Sequence, residues 1–344
     1  MGRFVLLLLG GLICWSLDSA PASARTLTDS AGRTVTLPDR VETVFAAGPP
    51  ATVFLYTLAP ETLAGWSRPL HADERPYVPE RYRDLPTLGR LTGRGGTANL
   101  EAVLASKPHL IFDFGSTAPT YVSLADRVQA QTGIPAILID GRFENTAAAL
   151  RLLGEALGRQ ERAEALARYT ERTLVEVDAI AAQVPQDRRP RVYLARGPVG
   201  LETGVRGSIN TEIIERAGGI NVADAPGQRG IVNVSLEQVL AWNPEVIITW
   251  DERGLAHMLT DARWRNVRAV QTGRLYLAPS VPFGWIDRPP SINRLLGLRW
   301  LAKVLYPDID TGDMRAITRE FYRLFYHVEL DEALLAPLLA GPGH

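Results

Sequence analysis

Lysine is almost missing from this chain. Of 344 residues only Lys107 and Lys303 are lysines, so nearly all positive charge is carried by arginine. A compositional habit accounts for that before a ligand preference does. The net charge is −1, which argues against a nucleic-acid partner held by bulk charge. Cysteine is missing too, apart from Cys14, so no internal disulfide can form. The histidines, His71, His109, His257, His327 and His344, are scattered without metal-ligand spacing; His71 and His257 are the two worth testing. No protein-bound metal or cofactor is expected. The chain also lacks a Gly-x-Ser-x-Gly elbow and a His-Glu-x-x-His pair, which leaves hydrolytic chemistry without a nucleophile and base. After residue 24 no apolar stretch is long and unbroken enough to span a bilayer.

The one marked apolar run stands at the N-terminus. Arg3 supplies a charge, residues 5–15 the apolar region, and Ala22-Ser23-Ala24 a small-residue cleavage site. Cleavage after Ala24 would start the mature chain at Arg25 and remove Cys14. A lipid anchor would need a small residue before the cysteine, and Ile13 stands there. The expectation is a soluble, exported, cysteine-free protein.

What is present is a repeat. Residues 99–115 read NLEAVLASKPHLIFDFG and residues 235–251 read SLEQVLAWNPEVIITWD. At a constant offset of 136, Leu100, Glu101, Val103, Leu104, Ala105, Pro108 and Ile111 recur as Leu236, Glu237, Val239, Leu240, Ala241, Pro244 and Ile247. Each copy predicts a capped short helix, ended near proline and followed by a buried strand. So distant a repeat implies two like units, as does a length beyond what one core usually serves.

In order, residues 26–40 predict a hairpin, 41–47 a strand, 51–58 a helix, 62–66 a short strand and 67–96 a long loop. After the first repeat come a helix over 120–132, a strand over 134–140, and helices over 145–157 and 161–182. The plan then restarts: a strand at 191–195, a helix at 209–217, the second repeat, helical residues 253–270, a strand at 274–278 and a helical tail. Strands alternating with helices specify α/β lobes with parallel sheets. The expected division is a leader (1–24), an N-terminal α/β lobe (25–144), connecting helices (145–185), and a C-terminal α/β lobe with closing helices (186–344).

This order resembles the periplasmic substrate-binding proteins of iron–siderophore, haem and vitamin B12 importers: two Rossmann-like α/β lobes joined by one long helix. The likeness covers about residues 27–330. It rests first on the paired Leu-Glu helices, then on AGGINVA (217–223), GLETGVRGSIN (200–210) and the Gly-Arg-Leu-Tyr strand near 273. The resemblance implies a monomer in the periplasm that binds a ligand between its lobes and delivers it to the membrane permease of an ABC importer. It further implies that Glu101 and Glu237 dock with that permease. Each glutamate also suits the first turn of a helix without any partner; the recurrence in register favours docking.

Open α/β sheets place ligands beyond the carboxyl ends of their strands. The loops there contain Arg90, Arg94, Arg142, Arg196, Arg206 and Arg229, with Tyr121, Trp250 and Trp285 among them. Arginine meets carboxylate, phosphate, catecholate and hydroxamate oxygens with paired donors, and aromatic rings add flat apolar walls. Trp285 is expected at the crest of the loop PFGWIDRPPS, where packing and ligand contact are equally open. The pattern suits an oxygen-rich or anionic ligand, foremost a metal chelate of the iron–siderophore kind. Haem, corrinoid and small oxyanions such as molybdate stay open. The aromatics that vitamin B12 binders place six positions before each docking glutamate are replaced here by Gly95 and Ile231.

Overall fold

The computed structural model describes residues 25–341 except Arg94, Gly95, Thr97 and Pro226; the expected leader lies outside them. Strands β1 (Arg25–Thr28) and β2 (Thr34–Leu37) form an antiparallel hairpin. At its turn the Asp29 carboxylate accepts the Ala31 and Arg33 amides at 3.0 Å, and it reaches across to the Leu138 amide at 3.1 Å.

Strands β3 (Val44–Ala46), β4 (Leu110–Gly115) and β5 (Ala136–Asp140) make a parallel sheet in that order. The second half supplies β6 (Arg191–Ala195), β7 (Glu202–Gly204), β8 (Ile220–Asn221), β9 (Ile231–Asn233), β10 (Val246–Thr249) and β11 (Leu275–Leu277). Of these, β11-β10-β6-β8 form a second parallel sheet, while β7 and β9 pair antiparallel. Two parallel sheets therefore stand where the alternation of elements places them. The expected strand over 62–66 shrinks to isolated bridges at Leu63 and Trp66.

Alternation along the strands divides the core. Val44, Leu110, Phe112, Ile137, Val192, Leu194, Val246 and Ile248 face one shared cluster that spans both halves. The intervening Phe45, Ile111 and Leu138 face a smaller cluster on one side, and Tyr193 and Ile247 face another in the second half. Strands buried on both faces read as continuous apolar runs, hence the lack of visible alternation in sequence. The long helix Gln160–Ala182 lies along the shared cluster and, at 23 residues, spans about 34 Å. Helix Arg294–Leu305 packs against it.

The two repeats agree down to the backbone. Asn99 accepts the Ala102 amide at 2.8 Å, and Ser235 accepts that of Gln238 at 3.3 Å while the Gln238 side chain accepts the Ser235 amide at 2.8 Å. Such caps contribute about 1 kcal/mol each. Lys107 and Asn243, equivalent by the same offset, both end their helices at positive φ, 46° and 42°. His109 and Glu245 are likewise equivalent: each accepts backbone amides at the start of the neighbouring strand's segment, Thr43 and Arg191 respectively. His109 is thus an acceptor at a corner.

Residues 67–96 contain a short helix, Glu80–Arg83, and they carry the buried Tyr77 and Tyr82. The closing helices Met314–Phe321 and Glu332–Leu338 bring a tail that lies against the first half. The hydroxyl of buried Tyr56 donates to the Tyr326 carbonyl at 2.8 Å, and Tyr77 donates to Leu334 at 3.0 Å.

Candidate functional site

Parallel pairing of β6 with β10 sets Ala195 opposite Thr249, so the next residues, Arg196 and Trp250, emerge side by side at the carboxyl edge of the second sheet. Across from them β5 ends at Asp140 and runs into Arg142. The two edges face each other. Arg294, fully buried, donates to Gly141 of the first half at 2.7 Å and to Ile209 of the second at 2.7 Å, and pairs with Glu212 at 3.2 Å. Its guanidinium lies 4.3 Å from the Phe143 ring centre. Glu212 in turn accepts the Phe143 amide at 2.9 Å, and Ser291 donates to Pro50 at 2.7 Å. These contacts join the two halves. A side chain on Gly141 would meet Ile209 and the Gly115 backbone at 2.8 Å, so the junction closes only with glycine there.

Above it lies a charged network. Arg196 pairs with Glu202 at 2.6 Å and its Nε stands 2.7 Å from Asp287 Oδ2. The latter contact is an ion pair without hydrogen-bond alignment, since neither atom has a hydrogen-bond partner. Asn210 donates to the other Asp287 oxygen. Burial pushes the Asp287 carboxyl above the usual carboxylate range, against the pull of Arg196, the Asn210 amide and Arg294. The Arg196 and Arg288 guanidiniums lie 5.8 and 4.8 Å from the centre of the Trp250 indole, as cation–π partners do. Arg288 is exposed and makes no ion pair among the described residues. Its carbonyl accepts the Gly284 amide at 2.9 Å, which closes the loop that presents it.

Of the residues anticipated from sequence, the structure brings Arg196 and Trp250 together. Arg142 sits on the opposite edge, paired with Asp140 at 2.8 Å and Glu144 at 3.2 Å. Burial pushes the Asp140 carboxyl up, but hydrogen bonds from Arg142 outweigh it and hold it below its ordinary value. Arg206 and Arg229 are exposed in loops of the second half, and Arg90 is half-buried before helix Leu100–Ala105. Arg94 lies outside the described residues. Tyr121, half-buried, lines a hollow of the first half together with Thr92 and Asp113. Trp285 requires a correction: it is fully buried in the shared core with its indole N–H on the Tyr322 hydroxyl at 3.4 Å. The turn from Gly284 to Arg288 points the indole inward and leaves Arg288 outside. Arg288, Asp287, Asn210 and Arg294 were not anticipated; the only signal was the rigidity of PFGWIDRPPS.

Asp113 ends in that hollow of the first half. Burial pushes its carboxyl up to about 7, although Thr92 and the Phe114 amide donate to it. Among the described residues no three His, Cys, Asp or Glu side chains gather as a metal site, and no helix is long and apolar enough to cross a membrane. Glu101 and Glu237 are both exposed in the first turns of their helices. Hydrogen bonds from its own amide and the Ser235 hydroxyl, with Arg263 nearby, hold the Glu237 carboxyl below its ordinary value.

Comparison with known proteins identifies the family. The periplasmic binding protein family matches residues 53–282. The chain belongs to the periplasmic binding protein family. The molybdate-binding protein MolA of Haemophilus influenzae is 27% identical over 342 residues, covering 90% of this chain and 93% of MolA. The vitamin B12-binding protein of Salmonella typhi is 32% identical over 194 residues, covering 55% of this chain and 66% of that one. Among solved structures, an ABC transporter solute binding protein from Sulfurospirillum deleyianum superposes with a TM-score of 0.83 at 30% identity, covering 92% of this chain and 99% of its own. These relatives are binding proteins, not enzymes, and this periplasmic binding protein is the substrate-binding component of an ABC transporter.

Proposed function

We propose that this protein, exported by a leader ending at Ala24, binds a compact oxyanion of the molybdate class in its cleft and hands it to a membrane permease through Glu101 and Glu237. The observation that carries the reading is Arg288. It is an exposed cation with no ion pair among the described residues, laid over the Trp250 ring at the carboxyl edge of the second sheet. Arg142 and Arg196 are each already neutralised by two carboxylates, so their charge is largely committed. A junction as close as that of Gly141 with Ile209 suits a small cargo, and the relative matched along nearly its whole length is named for molybdate. A metal chelate presenting carboxylate or catecholate oxygens is the second reading, because Arg206 and Arg229 add donors at the rim. Titration calorimetry of the purified chain with molybdate, tungstate, a ferric catecholate chelate, haemin and cobalamin separates these. Saturable molybdate binding, weakened about 10- to 100-fold in Arg288→Ala, supports the proposal. Binding of a ferric chelate, haemin or cobalamin in preference to molybdate overturns the oxyanion cargo.

A further inference from the structure

Beneath the exposed Arg288 lies a buried counter-charge that anion binding does not require. Asp287 is fully buried, yet it stands next to Arg196, the residue that follows β6, where an incoming anion would be attracted. Burying a charged pair costs more than the pair returns unless its remaining atoms are satisfied. Here the facing atoms, Arg196 Nε and Asp287 Oδ2, touch without alignment.

We infer that Asp287 is a resident counter-anion of the cleft: it occupies Arg196 and thereby sets how strongly the site attracts an anion. In this division Arg288 meets the cargo, whereas Arg196 and Asp287 are positioning residues that support Trp250 and hold back one positive charge. The charged groups facing Asp287 are Arg196, which follows β6, and Arg294 from helix Arg294–Leu305. Glu202 of β7 stands behind Arg196, and Asn210 supplies the one amide. Asp287 therefore competes with the cargo for Arg196, and removing its charge releases attraction instead of destroying it. A purely structural carboxylate would behave in the opposite way, because its loss would loosen the loop and weaken binding. The inference rests on the oxyanion reading above but makes a separate prediction about the unliganded protein.

The test uses the full mature chain and the variant Asp287→Asn, which keeps an oxygen acceptor for Asn210. Molybdate affinity should rise at least about fivefold, more at low salt than at high. Wild-type binding should tighten as pH falls and Asp287, its carboxyl raised by burial, takes up a proton, while the variant should bind with an affinity that does not follow pH. Both gains should vanish in Arg196→Gln/Asp287→Asn. Binding no tighter than wild type in a folded Asp287→Asn protein, or a gain that survives loss of Arg196, overturns the inference. If the wild type binds no molybdate, the cargo proposal fails, and the ligand-free proteins still decide the inference. The Trp250 emission, taken as wild type minus Trp250→Phe, should change with pH in the wild type and stay constant in Asp287→Asn. A wild-type signal that does not move overturns it.

Discussion

Arg294 and Gly141 are joined by a single hydrogen bond of 2.7 Å that crosses from one half of the protein to the other. The guanidinium has no access to water, and it also serves Ile209, Ser291 and Glu212. The two halves are therefore tied through this one side chain as well as along the helix Gln160–Ala182.

Replacing Arg294 by Met should remove that tie. It would orphan the Gly141 and Ile209 carbonyls and leave Glu212 without its cation, at a cost of about 3–5 kcal/mol. Chemical denaturation should record the loss. Small-angle scattering should show a wider, ligand-sensitive radius of gyration in the variant, against one that barely changes on ligand addition in the wild type. An equally rigid Arg294→Met protein would show that the long helix alone fixes the lobes.

Asp113 gives stability a slope with pH. Its carboxyl is raised from an ordinary 3.8 to about 7 by burial, so the folded state holds a proton that the unfolded chain releases. Its contribution is complete below about pH 4 and is lost as pH rises through 7, amounting to up to about 4 kcal/mol. Asp113→Asn keeps the acceptor for Thr92 and should melt with the wild type below about pH 4 but above it at pH 8.

His327 slopes the other way. Burial, with Arg162 beside it, lowers its pKa from 6.5 to about 4. The unfolded chain therefore protonates first, and stability present above pH 6.5 is lost as pH falls toward 4, by up to about 3 kcal/mol. A neutral replacement, His327→Gln, should flatten that acid limb in thermal melts between pH 7 and 4 without altering molybdate affinity.

Glu101 and Glu237 are exposed in the first turns of their helices. The double variant to Ala should bind cargo as the wild type does, yet fail to support uptake in cells. Normal uptake would remove docking from the role of the repeat.

Much of this was legible in the sequence because it is local. The caps at Asn99 and Ser235, the strand that follows each, and the glycine ends of helices are written within a few residues. The arginines were harder, because a nearby acid in the sequence does not reveal a pair until side-chain directions are known. Arg142 meets Asp140 and Glu144, both two positions away, whereas Arg196 meets Asp287 from far along the chain, and only the fold shows that pairing. Trp285 and Arg288 are three positions apart, and one closed loop sends the first into the core and the second to the rim. No periodicity distinguishes them. Residues 67–96 lacked a pattern because Tyr77 packs against Tyr322 of the closing tail and Tyr82 against Tyr56, so their burial follows no helical or strand period.

That tail has a consequence for how the protein is made. Tyr56 finds its partner at residue 326 and Tyr77 at residue 334, near the far end of the chain. The first half, although synthesised first, cannot complete its interior until almost the last residue has been delivered. Throughout translation the Tyr56 and Tyr77 hydroxyls therefore wait for carbonyls that only the finished chain supplies.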